Sequence, residues 1–99
     1  MTKSRADYYL HRCYKLLADE DTTLKHRRFK GNLHGIAYSC IQSMCVDFRK
    51  EALSTIIHEC LHLLYPDWTE KKVRDHEAGI VDHMTMLQWQ NLCYRIGCM

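Results

Sequence analysis

Residues 54 to 70 read STIIHECLHLLYPDWTE, and this stretch decides the fold. At 100° per residue, Leu53, Ile57, Cys60, Leu61 and Leu64 fall in one broad stripe, which predicts an α-helix with an apolar back. His58 and His62 lie about 40° apart on nearly the opposite side, with Glu59 beside them. The helix starts near Glu51 and ends at Pro66, because proline lacks the N–H that the next turn needs and pushes its predecessor out of the helical region.

Outward from this helix the hydrophobic period changes. Upstream, GIAYS and SMCVDF carry strand-type residues with partial alternation, and Gly31-Asn32 and Gly35 punctuate the segment. Residues 23 to 48 therefore predict two or three short strands in a mainly antiparallel sheet, turning at KGN and near Ile41-Gln42-Ser43. Before them, Tyr9, Leu10, Cys13, Leu16 and Leu17 recur at helical spacing over residues 5 to 18, and the polar ADEDTT ends that helix. Downstream, a long last helix runs from about Thr69 into the 90s, with Val73, Ile80, Met84 and Leu87 as its core stripe. The expected class is α+β: an N-terminal helix, a small mainly antiparallel sheet, the His58–His62 helix and a long C-terminal helix, in one domain over residues 1–99.

Composition narrows the setting. A chain of 99 residues, 46% hydrophobic and 26% charged, suits one globular domain with one modest core. A formal charge of +2 is too small to imply nucleic-acid binding by itself. No apolar run approaches the roughly 20 residues of a membrane span, so no membrane contact is expected. The N-terminal MTKSRADYYLHRCYKLL lacks an uninterrupted apolar stretch and does not read as a secretory signal, which predicts a cytoplasmic location. The six cysteines show no CxxC. Most read as small buried apolar residues, with Cys98 the most exposed.

The polar front of the helix carries chemistry. Imidazoles at i and i+4 can point one nitrogen each at a single ion. Zinc accepts such a pair, wants a third protein ligand, and leaves the fourth position for water. Glu59 can flank that ion without binding it, taking a proton from the attacking water and passing it to a leaving amine. HExxH is short and arises by accident, in which case His58 and His62 are solvated helix residues. The mid-helix position, the apolar back and the preceding strand-like segment argue for the metal reading.

GIAYS, SMCVDF and EALSTIIHECLHLLYPDWTEKKV together resemble the core of the zincin-type metallopeptidases. They are most similar to very small phage and bacterial members of the SprT-like or minimal-zincin kind. The resemblance covers about residues 35 to 81. It implies a zinc peptidase fold, an edge strand that pairs with a peptide substrate, and a host-cytoplasm location if the chain is phage-encoded. The long-spaced glutamate followed by an aspartate is absent, as is a third histidine six residues after His62, which excludes the large zincin classes as close matches.

The third ligand stays open. Glu70 stands where the small-zincin pattern places a glutamate, but Asp67-Trp68-Thr69-Glu70 also reads as a capping box with Glu70 reaching back to an N-cap. Glu77 is the rival: it falls inside the apolar stripe of the last helix, where a carboxylate is costly unless paired or metal-bound. Antiparallel packing about Pro66 puts the histidines opposite residue 73, so Glu70 and Glu77 bracket the metal. Glu70 is preferred, and His76 ranks third. Tyr65 and His34 are candidates to polarise a substrate carbonyl, a role that zincins often give to such residues.

The basic run KHRRFKGN offers Lys25, Arg27, Arg28 and Lys30 for phosphate or an acidic partner, though a solvated hairpin also explains it. Trp68 and Trp89 read as packing residues, Asp82 and His83 as exposed. Two functions follow. One is a zinc-dependent peptidase with Glu59 as general base. The other is a non-catalytic binding module of the same fold that contacts a host protein or nucleic acid through the Lys25–Lys30 patch.

Overall fold

In the computed structural model, which describes residues 1–99, helix α1 spans Lys3–Ala18. The Thr2 hydroxyl caps it by accepting the Arg5 N–H at 3.2 Å, satisfying one of the orphan donors of the first turn. Its buried residues, Ala6, Tyr9, Leu10, Cys13, Tyr14 and Leu17, repeat at three- and four-residue steps and form one face against the core.

Three short strands follow: β1 (Thr23–His26), β2 (Gly35–Tyr38) and β3 (Ser43–Val46). Their order is β1-β3-β2. β2 and β3 form an antiparallel hairpin through a single 3-10 turn, Ser39–Ile41, closed by Gln42 in the left-handed region at φ 49°. β1 pairs with β3 in parallel, Thr23 opposite Ser43 and His26 opposite Val46. The sheet is therefore mixed rather than mainly antiparallel. Burial accounts for the order: β3 has Met44 and Val46 at 0% exposure and takes the central, doubly paired place, while the mostly exposed β1 is left at an edge. The chain does turn at KGN, with Gly31 at φ 66°, but inside a longer connection and not as a hairpin. Residues 27–34 step over β3 to reach β2, a span of two strand spacings or roughly 10 Å, which a two-residue turn cannot cover. The strand drawn from SMCVDF stops at Val46, although the Asp47 N–H still donates to the His34 carbonyl at 2.8 Å.

Helix α2 is Ala52–Leu64. It starts without a side-chain cap from Glu51 at φ 42° and ends at Tyr65, immediately before Pro66. Ile56, Ile57, Cys60 and Leu61 are buried within the 14-residue hydrophobic cluster, together with the inner faces of α1 and β3. Helix α3, Glu70–His83, is capped by Thr69, whose hydroxyl accepts the Lys72 N–H at 3.2 Å.

The long last helix divides in two. Met84 leaves the helical region at ψ 131°, and Thr85 opens α4, Met86–Gly97, with a reciprocal capping box to Gln88. Two orphan donors are satisfied at once there, which makes Thr85 a helix start rather than a helix interior. The break turns Leu87 out to 74% exposure and removes it from the expected core stripe. α4 instead packs on α1 through Leu92, and the Tyr14 hydroxyl donates to the Gln88 carbonyl at 2.8 Å. Two further expectations are corrected. Only Cys13 and Cys60 are buried, whereas Cys40, Cys93 and Cys98 are exposed, and all six are free thiols. His83 is half-buried, with Nε2 2.8 Å from the Met1 carbonyl oxygen. No helix is long and apolar enough to cross a membrane.

Candidate metal centre

The apolar back of α2 seats against the core, so its opposite face lies in a cleft of about 450 Å³ between α2, β2 and the start of α3. His58, Glu59, His62 and Glu70 line this cleft with Gly35, Ile36 and Ala37 of β2. His58, Glu59 and His62 form a group that could hold a metal ion, with one ligand atom from each lying within 4.8 Å of the others.

The imidazoles are tightly placed. His58 Nε2 and His62 Nε2 are 3.2 Å apart. The two oxygens of Glu70 reach both, at 2.8 Å from His58 Nε2 and 2.8 Å from His62 Nε2. Glu70 can do this because Thr69, not Asp67, caps α3. Its side chain makes no capping-box contact and swings toward α2. Glu77, two turns further along α3, takes the other side of His58: the ring donates from Nδ1 to Glu77 Oε1 at 2.6 Å. Glu70 and Glu77 thus contact opposite nitrogens of one ring.

This arrangement has an electrostatic consequence. A neutral His58 that keeps its proton on Nδ1 presents the Nε2 lone pair to Glu70 Oε1 and to His62 Nε2. Lone pairs facing a carboxylate repel unless a cation or an added proton lies between them. Burial works against the charged form of His58, but the hydrogen bond to Glu77 and the charges of Glu59, Glu70 and Glu77 outweigh it and raise the pKa. Ligand atoms around a tetrahedral zinc sit roughly 3.3 Å apart, close to the 3.2 Å between the two Nε2 atoms. Two imidazoles and a carboxylate are also the donor set that zinc takes.

Glu59 is 4% exposed. Burial pushes its carboxyl up to about 7; the charge of His58 opposes the shift, and Glu70 and Glu77 add to it. Its position depends on Gly35. A Cβ there would stand 2.8 Å from Glu59 Oε2, 2.9 Å from the Thr55 Cγ2 methyl and 3.1 Å from the Cys45 carbonyl oxygen. The bare backbone of β2 therefore leaves the space that the Glu59 carboxylate occupies. In the sequence Gly35 reads only as punctuation, although a lone glycine inside a strand is itself a signal of close approach.

The remaining candidates lie elsewhere. Tyr65 stacks on Trp68 at 4.1 Å, packs edge-on to Tyr9 at 6.0 Å, and does not line the cleft. His76 belongs to the same aromatic group, 4.3 Å from Trp68, with Nδ1 on the Lys72 carbonyl. His34 is the exception: it lines an adjoining hollow with His58, Glu59, Glu70, Glu77 and Arg74, and Arg74 carried no signal in the sequence. Lys25, Arg27, Arg28 and Lys30 are exposed on and after β1, away from the cleft lining.

Comparison with protein-family models, with curated proteins and with solved structures finds no match to this chain.

Proposed function

We propose that this chain is a zinc-dependent peptidase, similar to the small SprT-like or minimal zincins. The observation that carries the reading is the mutual approach of His58 Nε2, His62 Nε2 and the two Glu70 carboxylate oxygens, within 2.8 to 3.2 Å of one another in pairs, beside a buried glutamate. His58, His62 and Glu70 would hold the ion, and Glu77 would keep His58 in the tautomer that presents Nε2. When bound, zinc acidifies an attacking water and polarises the scissile carbonyl.

The chain's own groups do the rest. Glu59 accepts the proton of the attacking water and returns it to the leaving amine, work that suits a buried carboxylate next to the ion's ligands. Gly35 keeps the Glu59 carboxylate in place. Strand β2 pairs only with β3, so its other edge is available to an extended peptide in the cleft.

Glu59→Gln tests this reading. The side-chain shape is kept, so zinc content should stay near one per chain while hydrolysis of casein or an unstructured peptide falls about 10²–10⁴-fold. A Glu59→Gln chain as active as the wild type would end the mechanism.

A further inference from the structure

The small net charge conceals an uneven distribution. Residues 22 to 46 contain no Asp or Glu, while Lys25, Arg27, Arg28 and Lys30 fall within six positions. Of the chain's 14 Lys and Arg and 12 Asp and Glu, setting these four aside leaves ten against twelve, a formal −2 in place of +2. The entire positive surplus sits on this one segment. All four side chains are exposed, and none takes part in an ion pair.

The backbone that carries them is anchored. Because β1 and β3 are parallel, their C-terminal ends emerge side by side, His26 opposite Val46. The Arg27 N–H donates to the Val46 carbonyl at 3.1 Å. The Phe29 N–H donates to Asp47 Oδ2 at 3.1 Å, and the Phe29 ring is buried. Lys50 Nζ then donates to the carbonyls of Phe29, Gly31 and Leu33 at 2.7, 2.9 and 3.2 Å. Asp47, which holds the loop, is wholly buried and paired to Arg49 at 2.7 Å, so its own charge is not presented at the surface. A loop held this way presents its cations with little ordering left to lose on binding.

An aromatic ring stands against His26, the residue between Lys25 and Arg27 in the chain. Phe48 is 45% exposed, its N–H is held by His26 Nδ1 at 3.2 Å, and its ring centroid is 5.4 Å from that of His26. Exposed cations on an anchored backbone, with an exposed aromatic on the same segment's His26, form the recognition pattern for an unpaired nucleic-acid strand: phosphates on the cations, a base on the ring. A duplex fits less well, since its stacked bases offer no face to Phe48 and no helix stands here to enter a major groove. An acidic peptide would use the cations and leave the ring idle.

We propose that the adjoining loops after β1 and β3 bind single-stranded nucleic acid, with phosphates on Lys25, Arg27, Arg28 and Lys30 and a base on Phe48. The contact needs neither His58 nor His62, so it stands apart from the peptidase reading.

The test is fluorescence anisotropy of the full chain with a labelled oligo-dT of roughly 12 nucleotides, within the usual site sizes. Three to four phosphate contacts should weaken binding about 20- to 50-fold between 50 and 200 mM salt, as a single-strand slope of about −0.7 per contact requires. Each of Lys25→Ala, Arg27→Ala, Arg28→Ala and Lys30→Ala should lower that slope by about 0.7. Phe48→Ala should weaken binding about 5- to 100-fold and leave the slope unchanged. Lys71→Ala, on the surface of α3, should change neither, and His58→Ala/His62→Ala should bind as the wild type does. No binding at 50 mM salt, equal or tighter binding of the matching duplex, equal competition by polyglutamate, or an unaltered affinity in Phe48→Ala would each overturn the proposal.

Discussion

Replacing Gly35 by alanine probes the close approach of strand β2 to the Glu59 carboxylate. The new Cβ would lie 2.8 Å from Glu59 Oε2, where ordinary contact begins at 3.4 Å, so the carboxylate must retreat by roughly 0.6 Å, the difference between these distances. The Cys45 carbonyl, 3.1 Å from the same point, is β3 backbone and cannot yield. The Thr55 methyl is at 2.9 Å on the helix side. The flexible end of Glu59 therefore absorbs most of the overlap. Overpacking of this kind costs about 1–3 kcal/mol, and a general base displaced by a good fraction of an ångström loses on the order of 10- to 100-fold in rate. The expected result is a folded chain with zinc content unchanged and kcat down by that factor. Peptide hydrolysis, metal analysis and a thermal melt on one preparation read all three, with Gly97→Ala as the control because nothing lies within 4 Å of its added methyl. Gly35→Ala in a Glu59→Gln background should lose little further activity, since both changes act on one group. Wild-type activity in Gly35→Ala, or a full additional loss in the double variant, would refute the reasoning.

Three other outcomes are expected. His58→Ala, His62→Ala and Glu70→Ala should each empty the metal site, while Glu77→Ala, which removes only the partner of Nδ1, should weaken zinc binding about 10- to 100-fold; full metal content in His58→Ala/His62→Ala would place the ligands elsewhere. The pairing with Arg49, against the cost of burial and helped by the N–H groups of Phe29 and Arg49, holds the Asp47 carboxyl well below the usual range. A depressed carboxyl stabilises the fold above its unfolded pKa of about 3.9 and loses that contribution as pH falls, so the melting temperature of the wild type should drop more steeply below pH 4 than that of Asp47→Asn, and parallel curves would count against it. Thr85→Ala removes the capping hydroxyl of α4 and should cost about 1 kcal/mol, read as a melting temperature lower by roughly 4–8 °C for a chain of this size.

Periodicity is a local property, and what depends on it was legible in the sequence. The 3.6-residue recurrence around Ile57 and Leu61 and the stop at Pro66 define α2, and with it the common face of His58, Glu59 and His62. The change of period upstream marked the strand-bearing segment. The Thr85-x-x-Gln88 pattern was equally local, and the break between α3 and α4 could have been read from it, but the apolar residues Met84 and Leu87 masked it by continuing the helical spacing. Other features required the chain to be folded. Strand order depends on which segment buries best between two neighbours, and β1 joined β3 in parallel although the sequence alone favoured successive hairpins. Glu70 and Glu77 occupy equivalent-looking places one and eight positions into α3, and only the angle at which α3 crosses α2 sends one to Nε2 and the other to Nδ1. The closeness of Gly35 to Glu59, and of Phe48 to the Lys25–Lys30 segment, joins residues 24 and 18 to 23 positions apart in the chain. Such distances follow from packing, which no local spacing encodes.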